Sequence, residues 1–288
     1  MASSSRSPVL ALSLPVSLVG FVSLVALGCG GTIISTSTGS GGEGGATTST
    51  TSTTSTTIGS GGSGGNGGSG STTSSTGTGM TVCGPDVDAP VKPDLGVTKD
   101  PEAGSFTMDE ALVELPMGPG PLRAIIETDL GTVTCVLHDV EAPIGVASFI
   151  GLARGRRAFR DPITKKWALR RFYDGLTFHR VIAGFVAQGG DPLGTGTGGP
   201  GYKFVNEIAG LHHDPGTLAY ANAGADTNGS QFYITETKQS QLDAGYTNFG
   251  ACTPLDVVPK LTAVPTDSND KPLTPLHMKT IKITRCAP

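Results

Sequence analysis

The sequence predicts a mainly β domain, an antiparallel barrel, in the part of the chain that follows residue 121. Short segments of alternating apolar and polar residues recur from residue 122 to residue 285, and only two longer stretches among them have helical periodicity. A sheet of βαβ units would need a helix between successive strands, so these strands are expected to pair antiparallel. Between Arg6 and Asp86 the only charged residue is Glu43 and most others are Gly, Ser and Thr, so this part cannot add to a core. About 200 residues remain, which is enough for one well-buried domain.

The N-terminus has the pattern of an export signal. Arg6 precedes an apolar run over residues 9–27, and the motif ALGC occupies residues 26–29. This order is similar to a bacterial lipoprotein signal, in which the cysteine becomes the lipid-bearing first residue of the mature protein, so Cys29 is the predicted lipidation site. A cleaved secretory signal and an uncleaved membrane anchor are the alternatives, because the run is near the length that spans a bilayer. All three export the rest of the chain, so we assign residues 1–29 to the signal and expect a protein of the cell envelope.

Residues 30–80 are a low-complexity Gly/Ser/Thr stretch without an apolar period. Such a composition cannot repay the entropy of folding and predicts a disordered, flexible linker. At about 5–6 Å times the square root of its length, a coil of about fifty residues spans roughly 40 Å. The density of Ser and Thr is also compatible with glycosylation.

The cysteines agree with export. Besides Cys29 there are four, which is an even number compatible with disulfides in an oxidising compartment: Cys83, Cys135, Cys252 and Cys286. Four cysteines allow three pairings, and the sequence does not choose among them. Their spacing contains no C-x-x-C and no nearby histidine pattern, so no metal site is expected. The net charge of −4 argues against general nucleic-acid binding.

Residues 81–121 are predicted to be an irregular lead-in with a short helix. Pro and Asp are frequent at its beginning, and the chain should cross the domain surface there. Thr107 is followed three residues later by Glu110, which fits a capping box for a helix through Leu112. The helix should stop before Pro116.

A hairpin and the first long helix are predicted next. Residues 122–128 and Gly131–Leu137 read as two strands joined by a tight turn. From Pro143 to Arg154 apolar residues recur at helical spacing, with Pro at the start and Gly155 just past the end. The apolar stripe of this helix consists of Val146, Phe149, Ile150 and Ala153.

The basic segment, residues 154–171, surrounds the chain's one tryptophan, Trp167. Asp161 is its sole acid, and its cations are Arg154, Arg156, Arg157, Arg160, Lys165, Lys166, Arg170 and Arg171. One hypothesis is a surface loop that binds anionic partners such as lipid headgroups, polysaccharide or acidic peptide. The other, which we favour, is a solvated loop whose tryptophan packs back on the domain.

Two motifs resemble sites but are better explained as loops. The Gly-rich residues 194–199 lack the Gly-Lys-Ser/Thr ending of a phosphate-binding loop and should form a mobile surface turn. His212 and His213 resemble half a metal site, but adjacent residues point apart in an extended chain, so we interpret them as loop residues. A third candidate is Ser230 as a nucleophile with His179 as its base. That arrangement would need a nucleophile elbow, which the sequence lacks.

The C-terminal part predicts a second helix and a last strand. Residues 254–264 place Leu255, Val258 and Leu261 on one side of a helix, in which Pro259 would distort an interior turn. Residues 278–285 alternate and close the sheet as a strand.

The central stretch, residues 172–192, carries the chemistry. Its alternation as a strand places Phe178, Arg180 and Ile182 on one face. A guanidinium is costly on an apolar surface unless it is hydrogen-bonded, so the position of Arg180 suggests a function.

Two blocks of sequence resemble the cyclophilin family of peptidyl-prolyl cis/trans isomerases. They are FHRVIAGFVAQGGD in the central stretch and ANAGADTNGSQFYIT over residues 221–235, in the order the family has them. The resemblance covers residues 122–286 and implies a cyclophilin-like closed eight-stranded antiparallel β-barrel capped by two α-helices. It implies an isomerase that needs no cofactor and no metal, because no bond is made or broken.

The resemblance also implies roles for individual residues. Arg180 occupies the position of the catalytic arginine, Gln188 would hold its guanidinium, and Phe185 completes the catalytic set. The substrate-binding positions correspond to Val186, Ala221, Asn222, Gln231, Tyr233, Leu242 and Tyr246. Gln231 and Tyr233 are two apart on one strand and therefore face the same side, as a shared site requires.

Three positions depart from the usual pattern. Gln241 stands where many members have tryptophan, which implies weaker binding of cyclosporin-type inhibitors. Tyr246 stands in place of a histidine and can still line the pocket. Tyr233 replaces the usual phenylalanine, and its added hydroxyl at the pocket would alter the preference for the residue before proline.

The chemistry of the reaction fits these residue types. Rotation about an X-Pro bond faces a barrier of about 18–20 kcal/mol because amide resonance must be broken. A site lowers it by binding the twisted amide better than either planar isomer, with an apolar pocket for the ring and a fixed donor for the amide. We therefore predict a monomeric isomerase, lipid-anchored to a membrane, that acts on proline-containing polypeptides and assists the folding of exported proteins. The alternative is a non-catalytic module of the same fold that binds proline peptides, attached mainly through the basic segment.

Overall fold

The computed structural model of the protein describes residues 86–103, 105–116, 118 and 120–285. The predicted signal with Cys29, the predicted linker, Cys83 and Cys286 lie outside the described residues. In chain order the helices are α1 (Met108–Leu112), α2 (Pro143–Arg154) and α3 (Val257–Thr262). The strands are β1 (Arg123–Thr128), β2 (Gly131–Leu137), β3 (Phe159–Arg160), β4 (Trp167–Ala168), β5 (Phe178–Ile182), β6 (Val186–Gly189), β7 (Thr217–Tyr220), β8 (Phe232–Thr235), β9 (Asn248–Thr253) and β10 (Met278–Thr284).

Eight strands form one antiparallel sheet, in the order β10-β1-β2-β9-β7-β8-β6-β5, and β3 pairs with β4 separately. The edge strands β5 and β10 approach each other at an isolated bridge between Thr177 and His277, without a continuous ladder. Pro272 and Pro275 lie in the chain that enters β10, and their nitrogens cannot donate to a ladder. The prediction of a mainly β domain with eight antiparallel strands is confirmed, but the barrel is not fully closed.

Helix α2 packs against the sheet and has the predicted bounds. It starts at Pro143 and ends at Arg154, and Gly155 closes it in the left-handed conformation with a φ of 71°. Its predicted apolar stripe is buried throughout. The Phe149 ring lies 5.1 Å from the Phe249 ring and 5.6 Å from the Phe232 ring, measured between centroids. The helix thereby binds the strands β8 and β9 into one aromatic core.

Helix α3 packs on β2, β5 and β6 and is shorter than predicted. It spans Val257–Thr262, and Pro259 lies in its first turn, where a backbone N–H has no intrahelical partner, so the ring distorts nothing. Val258 and Leu261 are buried as predicted. Leu255 precedes the helix and is 47% exposed, so its predicted place on the apolar side is wrong.

The basic segment is covered by the preceding chain. We call residues 86–103 and 105–116, which are the described part of the predicted lead-in that lies against it, the lead-in segment. The Leu95 N–H donates to the Trp167 carbonyl at 2.8 Å, and Lys92 and Leu169 exchange two backbone hydrogen bonds of 2.8 Å. The Trp167 side chain is buried. The hypothesis that the tryptophan packs back on the domain is therefore confirmed.

Most cations of the basic segment are paired with carboxylates, and most of those carboxylates belong to the lead-in segment. The pairs are Arg154–Asp86, Arg156–Glu114, Arg157–Asp100, Arg157–Glu102, Lys166–Asp94, Arg170–Asp161, Arg171–Asp88 and Arg171–Asp174. A surface that attracts anions needs cations without such partners. The structure therefore does not favour the anion-binding hypothesis, because the preceding chain brings acids to this segment.

Two of these arginines belong to the interior. Arg154 is fully buried. It donates to the carbonyls of Ala111 at 2.6 Å and Val113 at 3.0 Å as well as to the carboxylate of Asp86. Arg157 is also buried, and its guanidinium lies 3.9 Å from the centroid of the Tyr202 ring. The capping box of α1 also forms as predicted. Together with the two buried arginines, it makes the lead-in segment an ordered part of the domain.

One disulfide joins Cys135 of β2 to Cys252 of β9, which are directly opposite each other in the ladder. This fixes one of the pairings that the sequence left open. Within the described part of the chain, no helix has both the length and the apolar character that crossing a bilayer requires.

Candidate active site

Strand β5, which contains Arg180, has a bulge that decides which of its side chains face the site. Phe178 pairs with Gly189 and Arg180 pairs with Gln188, so two residues of β5 advance for one of β6. Phe178 consequently lies in the main core, whereas Arg180 is on the other face with Ile182. The predicted shared face of Phe178 and Arg180 is wrong, because simple alternation does not continue through a bulge.

Cross-strand pairing places the predicted residues in one row. Arg180 of β5 is opposite Gln188 of β6, Gln188 is opposite Tyr233 of β8, and Tyr233 is opposite Ala219 of β7. Directly opposed residues of antiparallel strands share a face. The catalytic candidates and the aromatic candidate therefore lie side by side on the outer face of the barrel.

A small apolar cluster, separate from the main core, borders this row. We call it the proline pocket, and its residues are Phe185, Val186, Ala219, Ala221, Tyr233, Leu242 and Tyr246. The rings of Tyr233 and Tyr246 meet edge to face with centroids 5.9 Å apart. All six predicted apolar or aromatic positions are brought together. Ala219 was missed, although its alternation with Ala221 along the strand direction was a signal for it.

Arg180 is not held as predicted. Its Nε lies 3.3 Å from Oδ2 of Asp270, and no hydrogen bond joins it to Gln188 among the described residues. The Gln188 Nε2 instead donates to Oε1 of Gln231 at 3.1 Å. Asp270 lies in the loop between α3 and β10, and nothing in its local sequence indicated that it would reach β5.

Gln231 links the row to the Gly-rich loop 194–199. Its Nε2 donates to the carbonyls of Gly196 at 2.9 Å and Gly198 at 2.8 Å. A groove of about 790 Å³ extends beside these residues, and Gln188, Ala221 and Asn222 also line it. The groove meets the proline pocket at Ala221, which belongs to both.

The Gly-rich loop is organised by a buried internal carboxylate. Asp191 accepts hydrogen bonds from the backbone N–H groups of Leu193, Thr195, Gly196 and Gly198, at 2.6–3.1 Å. Burial raises the pKa of Asp191, but these N–H donors outweigh burial and hold the pKa below its ordinary value. The loop was expected to be a mobile turn, whereas its donors converge on one side chain.

Asn222 lines the groove, and its side chain is held by the neighbouring loops. Its side-chain amide donates to the Gly245 carbonyl at 3.1 Å, and its Oδ1 accepts from the Gly224 N–H at 3.3 Å. Ser230 is buried and donates to the Gly190 carbonyl at 2.7 Å, which agrees with discounting it as a nucleophile.

The two adjacent histidines do not point apart. The Nδ1 atoms of His212 and His213 both lie 2.9 Å from the carboxylate of Asp243. His213 is fully buried, and its Nε2 lies 3.0 Å from the hydroxyl of Tyr233. Both residues lie in a loop, as predicted, but the loop brings their rings to one acid instead of directing them apart. No group of three or more His, Cys, Asp or Glu suited to a metal ion occurs among the residues described.

Comparison with known proteins agrees with this geometry. The family model described as cyclophilin type peptidyl-prolyl cis-trans isomerase/CLD matches residues 123–284. The chain belongs to the cyclophilin family. Peptidyl-prolyl cis-trans isomerase A of Mycobacterium tuberculosis is 43% identical over 166 residues, which cover 56% of this chain and 91% of the relative. Peptidyl-prolyl cis-trans isomerase B of Streptomyces anulatus is 41% identical over 171 residues, with coverage of 56% and 96%.

The fold is similar to that of a solved cyclophilin. The crystal structure of a cyclophilin type peptidyl-prolyl cis-trans isomerase from Cryptosporidium parvum superposes with a TM-score of 0.50 at 31% identity, covering 58% of this chain and 98% of that one. This cyclophilin is therefore a peptidyl-prolyl cis-trans isomerase, and the non-catalytic alternative is not favoured. The Tyr233 hydroxyl bonds to His213, and its expected effect on the preference for the residue before proline stays a prediction.

Proposed function

We propose that Arg180 is the donor that stabilises the rotating X-Pro amide while the proline ring occupies the proline pocket. The observation that carries this is the row Arg180–Gln188–Tyr233, which places a half-exposed guanidinium beside an apolar cluster on one face of the sheet. The cluster binds the ring by burying its apolar surface. The guanidinium, one strand away, donates to the amide.

The arrangement favours the twisted amide over either planar isomer. Rotation removes the conjugation between nitrogen and carbonyl, so the nitrogen lone pair becomes an acceptor that only the transition state offers. A guanidinium is always charged and presents donors in a fixed plane, so it can stabilise that lone pair without a proton transfer. Gln188 and Gln231 form the floor of the groove and would position the peptide on the far side of the ring.

The substrates proposed are proline-containing polypeptides in an exported compartment. The signal pattern and linker of the sequence support a lipid anchor at Cys29, and the Cys135–Cys252 disulfide supports an oxidising environment. Isomerisation of X-Pro bonds takes tens to hundreds of seconds without catalysis, which makes it a slow step in the folding of exported chains. We propose that the enzyme relieves this step at the membrane that holds it, as a monomer.

Catalysis is tested by the rate of cis/trans exchange of a short X-Pro peptide with the full chain and with Arg180→Ala. The parent is expected to accelerate exchange, and the variant to lose at least about tenfold, or roughly 1.4 kcal/mol of transition-state stabilisation. Arg160→Ala, a change of an exposed arginine on β3, is the matched control. Equal rates for the parent and Arg180→Ala would refute the assignment of Arg180.

The anchor is tested by expressing the full chain and Cys29→Ala in a bacterium that processes lipoproteins. Incorporation of labelled fatty acid and recovery in the membrane fraction are expected for the parent only. Membrane recovery of both proteins without label would point to the uncleaved anchor, and recovery of both in the soluble fraction would point to the cleaved signal.

A further inference from the structure

The proline pocket is backed by a chain of polar groups that runs from the buried Tyr233 and His213 to the partly exposed Asp243, and the reaction itself does not require it. The hydroxyl of Tyr233 lies 3.0 Å from Nε2 of His213, and Nδ1 of the same ring lies 2.9 Å from Oδ1 of Asp243. His213 is fully buried, and its ring stacks on that of Tyr233 with an interplanar angle of 27°. Phenylalanine in place of Tyr233 would need neither partner.

The direction of these hydrogen bonds follows from Asp243. Its carboxylate accepts from His212 and from the His213 backbone N–H at 2.8 Å as well as from the His213 ring, and these bonds hold its pKa well below the ordinary value. An ionised carboxylate only accepts, so the His213 Nδ1 must carry a proton. Burial lowers the pKa of His213 and keeps the ring neutral, so Nε2 has no proton and accepts. Tyr233 is therefore the donor of the last bond.

We propose that His213 and Asp243 are positioning residues of the isomerase site, which turn the Tyr233 hydroxyl proton away from the proline pocket. This inference deepens the proposed function and depends on the place of Tyr233 in that pocket. With its O–H bonded to the protein, the tyrosine presents its ring to the apolar proline. Without an acceptor behind it, the buried O–H would turn to water or to a substrate carbonyl, and the pocket would bind a less apolar group.

The same network joins the loop that carries His213 to the loop that supplies Leu242 and Tyr246 to the pocket. Asp243 directly follows Leu242 and is close in sequence to Tyr246, and both of these line the pocket. The Gln239 N–H donates to the His213 carbonyl at 2.7 Å, which ties the same loop to the histidine from its other side. A displaced His213 would thus act on the pocket through Tyr233 and through this loop.

A double-mutant cycle with the full chain separates a positioning role from simple packing. His213→Ala is made in the parent and in a Tyr233→Phe background, and each protein is measured for kcat and KM of isomerisation and for Kd of the same X-Pro peptide by NMR titration. His213→Ala should raise KM and Kd about fivefold in the parent, with a smaller change in kcat, and less than twofold in the Tyr233→Phe background. The cavity left by His213→Ala is common to both backgrounds, so equal increases would overturn the proposal.

Asp243→Ala repeats the test at a partly exposed residue, should His213→Ala fail to fold. The change removes the acceptor of the His213 Nδ1–H, so the neutral ring can place its proton on Nε2 and donate to Tyr233. The same pattern is expected: a several-fold rise in Kd in the parent and less than twofold in the Tyr233→Phe background.

The tautomer of His213 is a readout that does not depend on activity. ¹⁵N chemical shifts of the His213 ring in the parent at neutral pH should show a protonated Nδ1 and an unprotonated Nε2. A proton on Nε2 would overturn the proposal even in an active enzyme. A parent that binds the peptide but does not accelerate exchange would refute the proposed function. In that case the Kd values of the double-mutant cycle and the tautomer of His213 still decide this inference.

Discussion

Arg180 on β5 forms an ion pair with Asp270, whose Oδ2 lies 3.3 Å from the arginine Nε. Both side chains are about two-fifths exposed, at 40% and 42%. The loop is fixed at this point by its backbone, since the Val181 N–H donates to the Asp270 carbonyl at 2.9 Å. One residue of the loop thus supplies a backbone acceptor to β5 and a carboxylate to the proposed catalytic side chain.

Asp270→Ala should lower kcat/KM about threefold, mainly through kcat. The carboxylate restrains a long side chain, and a guanidinium that is not pre-oriented stabilises the transition state less. A threefold loss corresponds to about 0.6 kcal/mol, the size expected for an exposed pair, and high salt should reduce the difference. Peptide-exchange kinetics at low and high salt measure it, with Asp256→Ala as the control because Asp256 is an exposed carboxylate paired with Lys260. The role assigned to Asp270 is wrong if its variant matches the parent at low salt.

Local features of the fold could be predicted from the sequence because they depend on neighbouring residues. The Pro and Gly that bound α2, and the Thr107–Glu110 capping box, act within one or two turns of helix. The proline pocket was also predicted, because most of its residues come from two continuous blocks that form adjacent strands. The prediction from periodicity failed at His179, because a bulge there puts Phe178 and Arg180 on opposite faces of β5.

The missed contacts join polar residues that are distant in sequence. Asp270 reaches Arg180 from the loop before β10, and Asp243 reaches His213 from the loop after β8. The acids of the lead-in segment meet the basic segment in the same way. No period or local motif encodes such pairs, because they exist only after the sheet has brought the loops together.

Arg157→Ala should reduce the free energy of unfolding by about 3 kcal/mol. The guanidinium is buried between Asp100, Glu102 and the Tyr202 ring, so its loss leaves two partly buried carboxylates without their cation. Urea unfolding at pH 7 measures the change.

The control for Arg157 is Lys166→Ala. Lys166 pairs with Asp94 in the same two segments, but both side chains are more than 40% exposed, so its loss should cost less than about 0.5 kcal/mol. Equal small costs for the two variants would mean that the lead-in segment does not contribute to stability through Arg157.

Asp191→Asn should destabilise the protein by about 2 kcal/mol at pH 7 and by less in acid. The folded-state pKa of Asp191 is lowered, so its charge contributes stability above the unfolded value of about 3.9, and this contribution is lost as the pH falls through the lower folded value. The difference between parent and variant should therefore be full at pH 6–7 and shrink below about pH 4.

Urea unfolding at several pH values between 3 and 7 measures this difference. Asp88→Asn, a change of an exposed carboxylate, should remain within about 0.5 kcal/mol of the parent throughout. A difference for Asp191→Asn that is the same at pH 3 and pH 7 would show that the charge of Asp191 is not what holds the Gly-rich loop.

Loss of the Cys135–Cys252 disulfide should lower stability by up to about 4–5 kcal/mol, because the bond closes a loop with a sequence separation of 117. Both cysteines are buried, so a reductant should act only after unfolding, and the parent should be refolded with and without it. The expected fall in Tm is on the order of 10 °C. A variant with both Cys135→Ala and Cys252→Ala should lose this response to reductant, and a parent whose Tm ignores the reductant contradicts the prediction. Any response that remains in the double variant must come from the other cysteines, which are Cys29, Cys83 and Cys286.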